Sequence, residues 1–332
     1  MPNFFKNIIA IYALLCIIHF AAPQSFADDF ENEIDKLFSL PEANSVVFKG
    51  KGIDIGIAAL TLAKEIYPNL DIKAYSAKID KMVIQARILT KGSTDPDYRI
   101  RALNTYLYKM EGIKYDLSDP NAEKLENRYL NGILDTKKGS CVTMPLLYLS
   151  IAQRLGYPVY PVTAPQHLFL RYIDPNLQEQ NIDPAGEGGY VSDDEYIYVL
   201  QISPRALKNG AYLRTLTYRE LLADLVAQNA IYWAKRGKYK RAIQYLKKCI
   251  KVDPKSADTY NTIGKVYLNY SRVLEKEFQE ELAQEYRFKA ASYLQKAEKF
   301  GVSKLPHGNY IEEQRKAQET YREKQAQKGG AK

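Results

Sequence analysis

The chain has 332 residues, 46% of them hydrophobic, and its 47 Lys and Arg against 39 Asp and Glu give a formal net charge of +8. This length and apolar content predict a globular protein with two domains, and the excess positive charge, which alternates with Glu in the carboxy-terminal region, favours a solvated surface over nucleic-acid binding. Three cysteines are too few for a framework of several disulfides, although one bridge is formally possible.

The amino terminus has the pattern of a secretory signal. Lys6 precedes an apolar run from Ile8 to Ala22, and Ser25-Phe26-Ala27 has small residues at the spacing that signal peptidase needs. We therefore expect residues 1–27 to be a signal peptide cleaved after Ala27, and the mature protein to be periplasmic or secreted. The apolar run is shorter than the roughly 20 residues of a membrane span, so an uncleaved anchor is the weaker alternative. We expect no stable membrane insertion once the signal is removed.

Helical periodicity dominates the segment that follows. Three amphipathic helices are predicted there, over 53–66, 71–89 and 98–112. A fourth, strongly apolar helix is predicted over 146–155 and ends at Gly156. Three strands are then predicted, over 157–162, 167–173 and 196–200. Helices followed by an antiparallel patch of strands predict an α+β domain over residues 28–222.

From about residue 223 the apolar pattern becomes that of a tetratricopeptide helix pair. Its key positions are Ala230, Trp233, Gly237, Tyr239, Ala242, Leu246, Cys249 and Pro254. Gly264 and Tyr267 repeat the first two, but the small residue expected at 276 is best matched by Ala290, which predicts a second hairpin about two turns longer on each arm. Unrelated amphipathic helices are the alternative. We place the repeat region with a capping helix at 223–326 and a disordered tail at 327–332.

Three residues stand in the order of a thiol acyl-transfer site. Such a site needs a nucleophilic thiolate, a base that takes the thiol proton, and a carboxylate or amide that orients the base. Cys141, His167 and Asp183 supply these groups in a chain that has only three cysteines and three histidines. Each also has a simpler interpretation, as a buried turn cysteine, a core histidine and the start of an Asp-Pro turn.

Cys141 precedes the apolar helix predicted over 146–155. The amino-terminal end of a helix favours a thiolate over a thiol. Pro145 leaves two alternatives for the start of this helix: a distorted first turn capped by Ser140, or a helix capped by Thr143. Both keep Cys141 near the positive end of the helix.

Counting along the chain relates His167 to Asp183. If Asp174-Pro175-Asn176 is the turn between two antiparallel strands, these two residues are cross-strand partners with Cβ atoms about 5 Å apart. A slip by one residue would turn one of them to the other face of the sheet. Asn181, on the same face as Asp183, is the reserve candidate for the orienting group.

The remaining chemical groups predict no further site. Cys249 falls where a tetratricopeptide hairpin needs a small buried side chain, so we expect it to be structural. One cysteine and one histidine cannot make a zinc site, and Gly186-Glu-Gly-Gly189 lacks the helix and lysine of a phosphate-binding loop. We therefore expect no metal and no cofactor.

The segments around Cys141, His167 and Asp183 resemble a known family. They are similar to the bacterial transglutaminase-like proteins of the SirB type in Lys138-Gly-Ser-Cys141 with its apolar helix, Pro165-Gln-His167 through Tyr172, and Ile182-Asp-Pro184. The resemblance extends upstream through 58–68, 103–108 and 127–130, and downstream into the repeats. It implies that residues 28–222 form a papain/transglutaminase-like core with a helical amino-terminal part, followed by an all-α tetratricopeptide array.

The resemblance also implies roles for the three residues, with Cys141 as nucleophile, His167 as base and Asp183 as orienting acid. SirB-type proteins usually have Pro-Gly-His where this chain has Gln166 before the histidine, and many have lost the cysteine. Two functions therefore stay open. One is an exported cysteine-dependent enzyme that hydrolyses an amide or peptide or transfers its acyl group to an amine. The other is a catalytically silent scaffold for an envelope protein or peptide. In both, a protein or peptide partner binds through the tetratricopeptide region.

Overall fold

The computed structural model describes residues 24–42, 52–178, 180–303 and 310–329. The chain divides into two compact units, residues 1–40 and 41–332, and the first contains helix α1 (Gln24–Ser39). Most of the predicted signal peptide, residues 1–23, lies outside the described residues. In the part of the chain that is described, no helix is both long enough and apolar enough to cross a membrane.

The second unit begins with the helices predicted from periodicity. They are α2 (Ile55–Lys64), α3 (Ile72–Thr90) and α4 (Pro96–Asn104), the last continued by a π-helical segment (Thr105–Met110). Asp54, Asp71 and Asp95 precede the three helices, and each carboxylate accepts a backbone N–H of the first turn. These bonds satisfy donors that a helix start otherwise leaves unpaired, which explains where the helices begin.

Two small sheets follow. A parallel pair, β1 (Lys114–Tyr115) and β2 (Lys138–Gly139), flanks helix α5 (Leu130–Thr136). An antiparallel sheet of order β3-β4-β5 contains β3 (Val159–Ala164), β4 (His167–Tyr172) and β5 (Asn181–Ile182). Between the two sheets in chain order lies α6 (Thr143–Arg154), which is buried from Thr143 to Gln153. This buried helix is the predicted apolar one and forms the centre of the domain.

The strand predicted over 196–200 is wrong, because this segment belongs to helix α7 (Asp193–Val199). The Ser192 side chain accepts the backbone N–H of Glu195, and the first turn carries three acidic residues, which the helix dipole stabilises. These capping interactions outweigh the strand preference of the Tyr and Val side chains. A short helix, α8 (Pro204–Asn209), follows.

The described residues from 218 onward are mainly helical and have the predicted repeat architecture. The helices are α9 (Tyr218–Lys235), α10 (Tyr239–Val252), α11 (Ala257–Lys276), α12 (Glu280–Phe300) and α13 (Tyr310–Gly329). The second hairpin is the longer one, with helices of 20 and 21 residues against 18 and 14 in the first. Residues 327–329 are helical where a disordered tail was predicted, because the polar pattern of α13 continues to Gly329; residues 330–332 are not described.

Glu65, the residue after α2, joins this helix to the first repeat. Its Oε1 accepts hydrogen bonds from Trp233 Nε1 at 2.5 Å and Tyr245 Oη at 2.7 Å, and lies 2.7 Å from Arg241 Nη2. Its Oε2 accepts a bond from Asn229 Nδ2 at 2.7 Å. The carboxylate is buried, so one acidic group holds four side chains of α9 and α10 against the end of α2.

Candidate active site

Cys141 lies in the turn between β2 and α6. The Ser140 hydroxyl accepts the backbone N–H groups of Val142 at 3.2 Å and Thr143 at 3.3 Å. Helix α6 begins at Thr143 after Val142, which makes no capping side-chain hydrogen bond, so Thr143 is not the cap; Cys141 lies on the approach to the helix, near its positive end as both alternatives require. Pro145 is the third helical residue, where its missing N–H breaks no bond.

The thiol of Cys141 is partly exposed and faces the turn between β3 and β4. Its Sγ donates a long hydrogen bond of 3.5 Å to the backbone carbonyl of Gln166. The two-residue turn that contains Gln166 is closed by the pairing of Ala164 with His167, so the next residue of the chain is the predicted base. The turn thus brings the predicted nucleophile and base to one place.

The imidazole of His167 lies between a carboxylate and the thiol. Its Nε2 is 3.1 Å from Asp183 Oδ2, and its side chain is 7% exposed. An interaction with the side chain of Cys141 also raises the pKa of this ring. Because Nε2 faces Asp183, Nδ1 is the nitrogen left to exchange a proton with the thiol.

Asp183 follows β5 and caps a 3₁₀ turn (Pro184–Gly186). Its Oδ1 accepts the backbone N–H groups of Ala185 at 3.0 Å and Gly186 at 3.4 Å. Its Oδ2 faces His167 and also accepts a hydrogen bond from the Tyr196 hydroxyl at 3.0 Å. Both oxygens are therefore held, which fixes the plane of the carboxylate.

The predicted cross-strand pairing of His167 with Asp183 is wrong, although the two side chains meet. Strand β4 pairs with β5 through Leu170 with Ile182 and Arg171 with Asn181, so the register is centred on residue 176 and not on residue 175. This register places Asp183 diagonally from His167 on the same face, within reach of a long side chain. The loop between the strands is longer than a tight turn, and its length shifts the register.

Asn181, the reserve candidate, is engaged elsewhere. Its Nδ2 donates to the backbone carbonyl of Val191 at 2.9 Å and to Asp193 Oδ1 at 2.8 Å. Its Oδ1 accepts from Arg171 Nε at 2.9 Å. Asn181 thus ties β5 to the start of α7, and Asp183 is the group that faces the imidazole.

The three side chains are electrostatically coupled. Burial opposes a charge on His167, but the carboxylate of Asp183 and the contact with Cys141 outweigh it and raise the pKa of the imidazole to about 10. Burial also opposes ionisation of Asp183, yet the charge and hydrogen bond of His167, with the bond from Tyr196, lower the pKa of this carboxyl. The site therefore favours a protonated imidazole next to an ionised carboxylate.

The sequence did not single out Tyr196, although its hydroxyl contacts the predicted orienting acid. The residue was assigned to a strand, and a tyrosine has no signature that marks it as a partner of a distant carboxylate. The pattern of Ser192 followed three residues later by Glu195 is a helix-start signal and could have placed Tyr196 on a helix. Its contact with Asp183 depends on tertiary packing.

Comparisons with known proteins agree with this architecture. Residues 73–226 match the family model of the transglutaminase-like superfamily, and residues 234–269 match a TPR repeat model. The first match contains all three predicted site residues. The second covers α10 and the loop after it, together with parts of α9 and α11.

Several curated proteins are similar to this chain at low identity. A UPF0162 protein of Xylella fastidiosa is 24% identical over 227 residues, which cover 63% of this chain and 75% of the relative. A UPF0162 protein of Pasteurella multocida is 29% identical over 149 residues, covering 41% of this chain and 52% of the relative. Human F-box only protein 21 is 28% identical over 134 residues, covering 40% of this chain and 18% of that protein. The chain therefore contains a transglutaminase-like domain followed by a carboxy-terminal tetratricopeptide repeat region.

Proposed function

We propose that the protein is an exported cysteine-dependent acyl-transfer enzyme that acts on an amide or peptide bond. The observation that carries the proposal is the position of His167, whose imidazole Nε2 lies 3.1 Å from Asp183 Oδ2 and which follows Gln166, the residue whose carbonyl contacts the Cys141 thiol. A nucleophile, a base and a group that orients the base are the parts that thiol acyl transfer requires.

The proposed reaction begins with the Cys141 proton already held by the His167 imidazole, as a thiolate–imidazolium pair. The thiolate attacks the carbonyl carbon, a C–S bond forms, and the charge on the carbonyl oxygen is stabilised in part by the backbone N–H of Cys141. The imidazolium returns its proton to the leaving amine as the C–N bond breaks, which leaves a thioester. Water or a second amine then attacks the thioester, gives its proton to His167 and restores the thiol.

Alkylation of the thiols tests this proposal. Cys141 should react with iodoacetamide at pH 6 at least about tenfold faster than a free cysteine, because the imidazolium stabilises its thiolate. His167→Ala should abolish this advantage. Cys249 is an internal control, since it is 1% exposed and burial raises the pKa of its thiol. Equal rates for Cys141 in the parent and the His167→Ala variant would contradict the proposal.

The acyl donor can be sought with the same protein. Incubation with peptides from the cell envelope, followed by acid quenching and mass spectrometry, should reveal a thioester on Cys141. Cys141→Ser is the control, because an ester on serine is formed far less readily from an amide. The mass of the adduct would identify the acyl group.

A catalytically silent scaffold is the second candidate. It is favoured by the tetratricopeptide match, since these repeats are protein-interaction modules, and by the hydrogen bond of the Cys141 thiol to the Gln166 carbonyl. In this case, Cys141 would alkylate at the rate of an ordinary thiol, and a protein or peptide partner would still bind the repeats.

Export is part of the proposal and has its own test. We expect the mature protein in the periplasm or culture medium to begin at Asp28. Amino-terminal sequencing of the purified native protein checks this expectation. A protein that retains Met1 in the cytoplasm would contradict it.

A further inference from the structure

Tyr196 lies against the His167–Asp183 pair. Its side chain is 5% exposed. Its ring stacks on Phe169 with centroids 4.2 Å apart and lies 5.7 Å from the His167 ring. The tyrosine thus packs against the strand that carries the base while its hydroxyl reaches the acid.

The hydroxyl bonds the same oxygen that faces the imidazole. Tyr196 Oη lies 3.0 Å from Asp183 Oδ2, and His167 Nε2 lies 3.1 Å from that atom. The other oxygen, Oδ1, is held by two backbone N–H groups of the 3₁₀ turn. A carboxylate bonded only at Oδ1 could swing its second oxygen away from the imidazole. The hydrogen bond from the Tyr196 hydroxyl to Oδ2 prevents this rotation.

The helix that carries Tyr196 is itself held from outside by the carboxy-terminal helix α13. Arg322 Nε donates to Glu195 Oε1 at 3.2 Å, Lys324 Nζ donates to the Tyr198 hydroxyl at 3.0 Å, and the rings of Tyr198 and Tyr321 lie 5.4 Å apart. Gln318 of α13 lines a small cavity together with His167 and Asp183. Helix α7 therefore packs between strand β4 on one side and helix α13 on the other.

We infer that Tyr196 is a positioning residue, whose hydroxyl holds the Asp183 carboxylate in the orientation that pairs it with His167. The inference rests on the proposed function and deepens it, because it assigns a fourth side chain to the same site. Burial and the negative charge of Asp183 raise the pKa of the Tyr196 phenol well above its ordinary value, so the hydroxyl stays a donor throughout the working pH range.

Other titratable and charged groups near the pair bear on its pH behaviour. Those that interact with His167, Asp183 or Tyr196 are Cys141, Tyr108, Tyr115, Asp193 and Glu195. Tyr196→Phe leaves all of them in place and removes only one oxygen atom. A change in the titration of His167 in this variant is therefore due to that oxygen.

The test is an NMR titration of the His167 imidazole in the full-length protein. Tyr196→Phe should lower the pKa of His167 by about one pH unit, because a carboxylate that is free to rotate stabilises the imidazolium less. Tyr198→Phe is the matched control, since it is the same substitution on the same helix, and it should leave the titration unchanged. Thermal unfolding should show that both variants are folded.

Two outcomes would overturn the inference. An unchanged or raised pKa of His167 in Tyr196→Phe would mean that the hydroxyl only withdraws charge from Asp183 or fills space. An equal shift in Tyr198→Phe would mean that the effect belongs to the helix and not to the phenol.

Alkylation kinetics separate this inference from the proposed function. If Tyr196 positions the acid, the imidazolium in Tyr196→Phe stabilises the Cys141 thiolate less, so the alkylation rate of Cys141 on the acidic limb of the pH profile should fall by up to about tenfold, in line with one pH unit. If the parent thiol is as slow as a free cysteine, the proposed function is wrong, whereas the NMR titration still decides whether Tyr196 positions Asp183.

Discussion

At the scale of single residues, Gln166 occupies a backbone conformation that suits glycine. Its φ is +56°, and it is the second residue of the tight turn between β3 and β4. A side chain in this left-handed region costs of order 1 kcal/mol or more. The strain lies next to His167 and on the residue whose carbonyl accepts the Cys141 thiol, so the turn that positions the base is also the strained part of the hairpin.

Gln166→Gly should raise the free energy of unfolding by about 0.5–1 kcal/mol, because glycine adopts positive φ without strain. Urea denaturation followed by circular dichroism measures the change. Thr163→Gly, in the adjacent strand, is the matched control and should lower stability, since glycine weakens a strand interior. A loss of stability in both variants would show that the Gln166 side chain contributes more than its backbone costs.

The His167–Asp183 pair should make stability depend on pH. The pKa of His167 rises from 6.5 to about 10 on folding, so its contribution is fully present below pH 6.5 and is lost as the pH rises toward 10. The loss for one proton is about 1.4 kcal/mol per pH unit. The pKa of Asp183 is lowered on folding, so its contribution is present above pH 3.8 and is lost only in acid.

Urea denaturation at pH 6, 7, 8 and 9 measures this dependence. The free energy of unfolding of the parent should fall steadily from pH 6 to pH 9. In His167→Asn this decrease should be smaller by about 1.4 kcal/mol per pH unit, which is the contribution of one proton. Identical slopes in the two proteins would mean that the imidazole titrates at its ordinary pKa in the folded state.

At the scale of elements, the second tetratricopeptide hairpin depends on close approach of its two helices. A Cβ added to Gly264 of α11 would lie 2.7 Å from Leu294 Cγ and 3.2 Å from the Ala290 carbonyl oxygen of α12. Glycine at this position allows the backbones of α11 and α12 to approach closely, as the pattern of small residues predicts. The contact is the reason that a residue with poor helix propensity stands in the middle of a 20-residue helix.

Gly264→Ala should therefore lower the free energy of unfolding by about 1–2 kcal/mol through overpacking. In an open helical position the same change would raise stability by up to about 1 kcal/mol, so the sign of the effect identifies the cause. Thermal and urea unfolding measure it. Adding Leu294→Ala should remove most of the penalty of Gly264→Ala, and a strictly additive pair would contradict the packing explanation.

At the scale of the whole second unit, Glu65 connects the transglutaminase-like domain to the repeats. Burial raises the pKa of this carboxyl despite the charge of Arg241 and the bonds from Tyr245, Asn229 and Trp233. The guanidinium of Arg241 also lies over the Trp233 ring at 4.2 Å. Loss of the carboxylate would leave a mostly buried cation without its acidic partner.

Glu65→Ala should lower the free energy of unfolding by about 3–5 kcal/mol, the usual effect of removing one member of a buried ion pair. Adding Arg241→Met should recover part of this loss, because the unpaired charge is gone. Glu285→Ala removes an exposed carboxylate that pairs with Lys289 and should change stability by less than about 1 kcal/mol. A small effect of Glu65→Ala would show that the repeats are held by apolar contacts alone.

The sequence by itself determined the repeat helices, the order of Cys141, His167 and Asp183, and the resemblance to transglutaminase-like proteins. Those features depend on residue identity and on periodicity over short stretches of the chain. Only the tertiary structure decided that 193–199 is a helix, that the β4–β5 register is centred on residue 176, and that Tyr196 and Glu65 act as partners of distant groups. Strand register depends on loop geometry and the partners of buried polar groups depend on long-range packing, and neither leaves a periodic signal in the chain.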